Sequence, residues 1–243
     1  MIRSIVHLVA PIRCVACRVA SDGELCGPCA EELEPVRTPI CLRCGLPSPK
    51  GGFPDCRACR GIGGFRSARS LLLYTPHAGR LALTMKRRGR PALAAQIGRM
   101  LADLASAYGL GGSEPTVVFV PGGRESDRRG FDHAELIARA VGQTLGAPVT
   151  GWLRRASSGR RQSEVPLHMR RSNAAGRFSA RRARGTVLLV DDVFTTGATI
   201  EACSLALVGA GADAVDVVTF ARTPRLRALG PGGASRPVDI LTG

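Results

Sequence analysis

The chain has 243 residues, room for one large domain or for a medium domain with a small module attached. Of its 34 basic residues only Lys50 and Lys86 are lysines, and 19 acidic residues leave a formal charge of +15, so anionic partners are expected: nucleic acid, or a phosphorylated small molecule. A hydrophobic share of 44% excludes wholesale disorder, and the short apolar runs exclude a membrane helix, which needs about 20 residues.

In chain order, Ile5–Ile12 is apolar but broken by His7 and Pro11, with no small-residue cleavage pattern. A mature cytoplasmic start is therefore expected rather than a signal peptide. Eight of the nine cysteines follow as four C-x-x-C pairs: Cys14/Cys17, Cys26/Cys29, Cys41/Cys44 and Cys56/Cys59. Two residues between thiolates let a tight turn aim both sulfurs at one tetrahedral ion, and two such turns complete a closed, structural Zn2+ site. Sequential grouping gives two sites. Gly27 and Gly45, each next to a cysteine, suit the positive φ such turns use. The rival disulfide framework would call for an oxidising compartment, and a redox C-x-x-C would need one pair rather than four. Residues 1–64 are read as a double zinc ribbon, which could contact nucleic acid, protein or only its own neighbouring domain.

Beyond the glycine-rich stretch 60–70, a strand is expected at Leu71–Tyr74 and helices at Pro76–Lys86 and Arg90–Tyr108. Strand and helix then alternate. Strands are expected at Thr116–Val120, Pro148–Leu153, Val187–Val190 and Ala214–Ala221, with helices at Asp132–Leu145 and Ala198–Gly209. Such alternation predicts an α/β fold with a parallel sheet flanked by helices over residues 65–222, with ligands at the carboxyl ends of its strands. The tail 223–243, rich in Pro, Gly and Arg, is expected to be disordered. Cys203, in an apolar helix, reads as a small buried hydrophobe.

The most informative segment is the apolar Val187–Val190 running into Asp191, Asp192, Val193, Phe194, Thr195, Thr196, Gly197, Ala198 and Thr199. A strand delivers two carboxylates to the sheet's edge, and a hydroxyl-rich turn then opens a helix. Backbone N–H groups at that helix start, with the threonine hydroxyls, form a phosphate cradle that Gly197 lets the anion approach closely. Carboxylates beside a phosphate cradle make sense where they bind sugar hydroxyls and help hold Mg2+. The pattern fits a ribose 5-phosphate.

This segment resembles the signature of type I phosphoribosyltransferases. Together with the cysteine module it resembles the ComF family, competence-associated proteins related to amidophosphoribosyltransferase. Arg128-Arg-Gly-Phe-Asp-His-Ala-Glu-Leu136 resembles that family's R-G-F-N-Q-A-E-L stretch, with Asp132 and His133 in place of N-Q. The resemblance implies a type I phosphoribosyltransferase-like domain that binds phosphoribosyl diphosphate with Mg2+ and transfers the phosphoribosyl group to an acceptor, releasing diphosphate. It assigns Asp191 and Asp192 to the ribose and its metal, and Thr195, Thr196, Gly197, Ala198 and Thr199 to the phosphate. Gly122, Gly123 and Arg124 would meet the leaving diphosphate, which Lys86 would approach. Residues 154–184, with ten arginines and one glutamate, match the family's flexible loop, with Gln162, Arg170, Arg171 and Asn173 in its pattern. Two other classes stay open: a non-catalytic sensor of the same ligand, and an adaptor in DNA uptake that touches single-stranded DNA or a protein of the competence machinery.

Overall fold

The computed structural model describes residues 12–48, 56–88, 90–123, 130–156 and 176–224. After a short helix α1 (Gly27–Glu31) come β1 (Ser67–Leu73), α2 (Pro76–Arg88), α3 (Pro91–Ala107), β2 (Thr116–Phe119), α4 (His133–Leu145), β3 (Val149–Thr150), β4 (Leu153–Arg155), β5 (Phe178–Ala180), β6 (Thr186–Phe194), α5 (Ala198–Gly209) and β7 (Ala214–Arg222). Five strands form one sheet in the order β1-β7-β6-β2-β3, with every neighbouring pair parallel. β4 and β5 form a separate antiparallel hairpin.

Side chains alternate across the central strand, and that alternation builds three layers. Leu188 and Val190 face one side, packed with Leu81 and Met85 of α2, Ile97 and Leu101 of α3, and Ile137 and Val141 of α4. Val187 and Leu189 face the other, with Ile200, Cys203 and Leu207 of α5 and, from the cysteine module, Cys41, Cys44, Cys59 and Phe65. Half of the cysteine module therefore stands where a helix would otherwise cover the sheet. Strands buried on both faces read as continuous apolar runs, which is why β6 and β7 were legible.

Three details differ from the sequence expectation. β1 begins at Ser67 rather than Leu71, inside the stretch read as a glycine-rich connection, because Ala68, Arg69 and Ser70 pair with β7. β6 runs through both aspartates to Phe194 instead of stopping at Val190, since its ladder with β7 continues to Arg222. The strand expected at Pro148–Leu153 splits into β3 and β4, and β4 leaves the sheet to pair with β5.

Candidate functional site

The two cysteine clusters are the first sites that geometry defines. Cys14, Cys17, Cys26 and Cys29 form one and Cys41, Cys44, Cys56 and Cys59 the other, with the sulfurs of each group within 4.8 Å of one another. Cys17 and Cys26 sulfurs are 3.6 Å apart, Cys41 and Cys59 3.8 Å, and Cys44 and Cys56 3.7 Å. Four thiolates at the usual 2.3 Å from zinc stand about 3.8 Å apart along the edges of the tetrahedron, so the residues fit zinc. All nine cysteines are free. The sequential grouping is the one observed, and the closed thiolate sets leave zinc a structural role.

The second site lies at the carboxyl edge of the sheet. The chain leaves β2 toward β3 on one side and leaves β6 toward β7 on the other, so the adjacent pair β2/β6 is the topological switch point, where open α/β sheets bind ligands. Both loops singled out in the sequence emerge here. Val120 N still donates to Val190 O at 3.0 Å before the two chains part.

On the β6 side, Thr195 and Thr196 are exposed, and Gly197 caps α5 with φ 87. A Cβ at Gly197 would sit 2.7 Å from Phe194 Cε2 and 2.9 Å from Ile62 Cδ1, so only glycine fits both the backbone and the space. The 12-residue α5 points its N-terminus at this loop, and Thr196 Oγ1 accepts from Ala198 N at 3.4 Å. Thr199 is half-buried in the first turn.

The aspartates form a compact charge cluster beneath the loop. Asp192 Oδ2 lies 2.7 Å from Lys86 Nζ and 3.3 Å from His133 Nε2, while its Oδ1 accepts from Val193 N at 2.9 Å. Asp191 Oδ1 folds back to accept from Asp192 N at 2.9 Å. Burial and the neighbouring Asp192 charge push Asp191 well above the usual carboxylate range. Burial opposes ionisation of Asp192 too, but His133 and Lys86 outweigh it and hold its pKa down. Burial also works against the Lys86 ammonium, yet Asp192 and then Asp191 raise its pKa. The cluster is one ionised carboxylate paired with the Lys86 ammonium and in contact with the His133 ring, beside a carboxyl disposed to keep its proton.

On the β2 side, Gly122 N donates to Asp132 Oδ2 at 2.6 Å, and Asp132 Oδ1 accepts from Ala134 N at 3.0 Å. Asp132 thus caps α4 and ties the loop after β2 to it. Gly123 follows in the described part of that loop, while Arg124, Arg170 and Arg171 lie outside the described residues, as do Gln162, Asn173 and residues 225–243 of the tail. The structure therefore brings together Asp191, Asp192, Lys86, Gly122 and the loop Thr195–Thr199. Sequence reasoning missed His133 as a partner of Asp192. Its signals were its place just after the Asp132 cap, at the start of a helix that packs under β6, and its position in the stretch 128–136 that resembles R-G-F-N-Q-A-E-L.

The chain is similar to several known proteins. Residues 5–60 match the double zinc ribbon domain family. Over 229 residues the chain is 28% identical to the DNA utilization protein YhgH of Salmonella typhimurium strain LT2, covering 89% of this chain and 99% of that one. The protein of the same name from Escherichia coli K12 is 25% identical over 234 residues, with the same coverage. Among solved structures, the glutamine phosphoribosylpyrophosphate amidotransferase of B. subtilis, complexed with ADP and GMP, is similar at 24% identity and a TM-score of 0.38. The match covers 52% of this chain and 25% of that one. An allosteric regulatory enzyme of purine biosynthesis is similar at 21% identity and a TM-score of 0.40, covering 57% and 30%.

Proposed function

We propose that the sheet edge binds phosphoribosyl diphosphate, or a related ribose 5-phosphate, and that the protein transfers the phosphoribosyl group to an acceptor with release of diphosphate. The observation that carries this reading is the Gly197 loop, a glycine-only turn at a helix N-terminus, opening at the switch point beside an ion-paired aspartate. In this reading the backbone and hydroxyls of Thr195–Thr199 take the 5-phosphate. Asp192 takes the ribose hydroxyls. Lys86, its side chain 42% exposed against 8% for Asp192, turns the open side of the ion pair toward the anion. Gly122, whose N–H donates to Asp132, and the adjoining Gly123 give the diphosphate a backbone surface, with Arg124 as the added cation.

The Asp192 carboxylate is the hard oxygen donor Mg2+ prefers, and such ions are usually held by one or two carboxylates plus substrate phosphates, a set that Asp191 would join on giving up its proton. An ion arriving with the diphosphate fits that pattern and would supply charge neutralisation of the leaving group. The chain's own residues contribute position and electrostatics: positive charge develops on the ribose ring as diphosphate departs, and the Asp192 carboxylate is fixed beneath it. Residues 1–64 and 65–222 are the two functional parts of this reading.

The test is calorimetric titration with phosphoribosyl diphosphate and Mg2+, followed by a diphosphate-release screen against bases and amines. Binding that weakens tenfold or more in Gly197→Ala and Asp192→Asn supports the reading, and no binding by the unaltered protein overturns it. Binding without release for any acceptor would leave the sensor class. A place in DNA uptake is the second reading, favoured by the name of the relatives and by the charge of +15.

A further inference from the structure

The second ribbon reaches past the face of the sheet to the loop at its carboxyl edge. Its last thiolate, Cys59, is followed by Arg60-Gly61-Ile62-Gly63-Gly64-Phe65, and this stretch lies along α5. Ile62 is tied to both metal turns. Its N–H donates to Cys59 O at 3.0 Å, and its carbonyl accepts at 2.5 Å from Arg43, which sits between Cys41 and Cys44. Gly64, at φ 81, lets the chain close on the helix, where a Cβ would stand 2.7 Å from Leu205 N.

Two contacts join this stretch to the Thr195–Thr199 loop. The side chains that crowd Gly197 are Phe194 and Ile62, and the second ribbon holds both. Phe194 takes Phe65 edge-on, with centroids 6.0 Å apart, and lies under the Arg222 guanidinium that donates to Cys44 O. The other contact is Glu201 Oε1, which accepts from Gly63 N at 2.8 Å. Glu201 stands in the first turn of α5, where its charge opposes any anion held at that helix N-terminus. The bond to the ribbon gives this carboxylate a different task.

We infer that Ile62 and Glu201 are positioning residues of the Thr195–Thr199 loop, and that through them an anion on the loop and the metal of the second ribbon bind with positive coupling. This rests on the phosphoribosyl reading of the sheet edge. The metal fixes the backbone that carries Ile62 and Gly63, and these two fix the turn at Gly197 and the start of α5. A ligand that needs the loop in that shape favours the metal-bound ribbon, and by linkage the metal favours the ligand by the same factor. The first ribbon stands outside this coupling, because its Val15 and Leu25 rest against the opposite face of the sheet.

The test uses the full-length, zinc-loaded protein with phosphoribosyl diphosphate and Mg2+. Zinc release is followed as the absorbance of a chromophoric chelator, and Cys17→Ser, expected to keep the second metal alone, identifies that metal's phase. Saturating phosphoribosyl diphosphate should slow release from the second ribbon about fivefold or more and leave the first ribbon's unchanged. Calorimetric titration of variants gives the second readout. Ile62→Ala should weaken ligand binding about fivefold. Loss of the Glu201 charge by itself should tighten anion binding, so two variants separate charge from position. Glu201→Ala should weaken binding about fivefold, whereas Glu201→Gln, which keeps an oxygen to accept from Gly63 N, should bind at least as well as the unaltered protein. Unchanged stoichiometry in each variant shows that lost affinity is not lost fold. Release slowed alike in both phases or in neither, or Glu201→Ala binding as tightly as Glu201→Gln, would overturn the inference and leave the sheet-edge site standing. No binding by the unaltered protein would overturn the sheet-edge reading and the coupling with it.

Discussion

In each ribbon the first C-x-x-C turn closes with the same two backbone bonds. Cys14 N donates to Val19 O and Arg18 N to Cys14 O, while Cys41 N donates to Leu46 O and Gly45 N to Cys41 O, all at 2.8 or 2.9 Å. The flanking bridges repeat as well, Arg13 with Ala20 and Ile40 with Pro47. The surroundings then diverge. In the first ribbon only Cys14 is buried, Cys17 being exposed and Cys26 and Cys29 half-buried, whereas Cys41, Cys44 and Cys59 of the second are buried in the sheet's core and only Cys56 is half-buried. A Cβ on Gly45 would stand 2.6 Å from Ala68 O, so the second ribbon presses its turn onto β1 where the first leaves room for an arginine. Guanidinium groups of the sheet complete the dock, Arg222 donating to Cys44 O and Arg69 to Leu42 O at 2.9 Å, while Arg43 braces the ribbon internally by donating to Ile62 O at 2.5 Å. One metal-binding plan puts its cysteines inside a layer of the domain in one copy, and in the other rests only partly buried side chains such as Val15, Ala16, Leu25 and Leu33 against the core.

The largest effect expected from breaking this contrast is Cys44→Ser. Loss of the second zinc opens the core over β6 and β7, and denaturant unfolding should show the whole domain destabilised by more than about 3 kcal/mol, with one zinc left per chain. An unchanged midpoint would mean that the second ribbon contributes no more to the core than the first. Next comes Arg222→Met, which leaves Cys44 O without its buried donor and removes the guanidinium stacked 5.0 Å over Phe194. About 2 kcal/mol is expected from the same titration. Gly197→Ala forces a Cβ onto Phe194 and Ile62 at positive φ and should cost about 1–3 kcal/mol in thermal melts, distinct from its effect on ligand affinity. Cys17→Ser in the exposed ribbon should remove one zinc and yet move the domain's unfolding by less than about 1 kcal/mol. A chelator should correspondingly strip the two metals in separate phases, the first ribbon's sooner, and a single phase would contradict the difference in burial.

The clusters of cysteine and the β6 loop were legible because each is local: spacing alone fixes which thiolates can share an ion, and an apolar run followed by D-D-x-x-T-T-G names its own turn. What escaped is non-local. His133 and Lys86 meet Asp192 only because α2 and α4 pack on the same face of β6, and no periodicity within either helix announces that. Residues 67–70 looked like linker because Arg69 and Ser70 are polar, yet Ser70 Oγ lies 2.7 Å from Thr219 Oγ1 inside the sheet and Arg69 is buried against Tyr108 and the second ribbon. Polar residues satisfied by distant partners carry no hydrophobic signature. The docking of the second ribbon was invisible for the same reason.

The bond from Arg222 to Cys44 O joins residues 178 positions apart, and β1, the first strand, pairs along its length with β7, the last. Synthesis therefore completes the cysteine module long before the surface that receives it exists. The second ribbon can take up its metal early, but it must wait through more than 150 further residues for the strand that holds it, with an apolar flank uncovered in the meantime. The slow step in making this protein is expected to be the meeting of its two ends, a closure governed by chain length rather than by either zinc site.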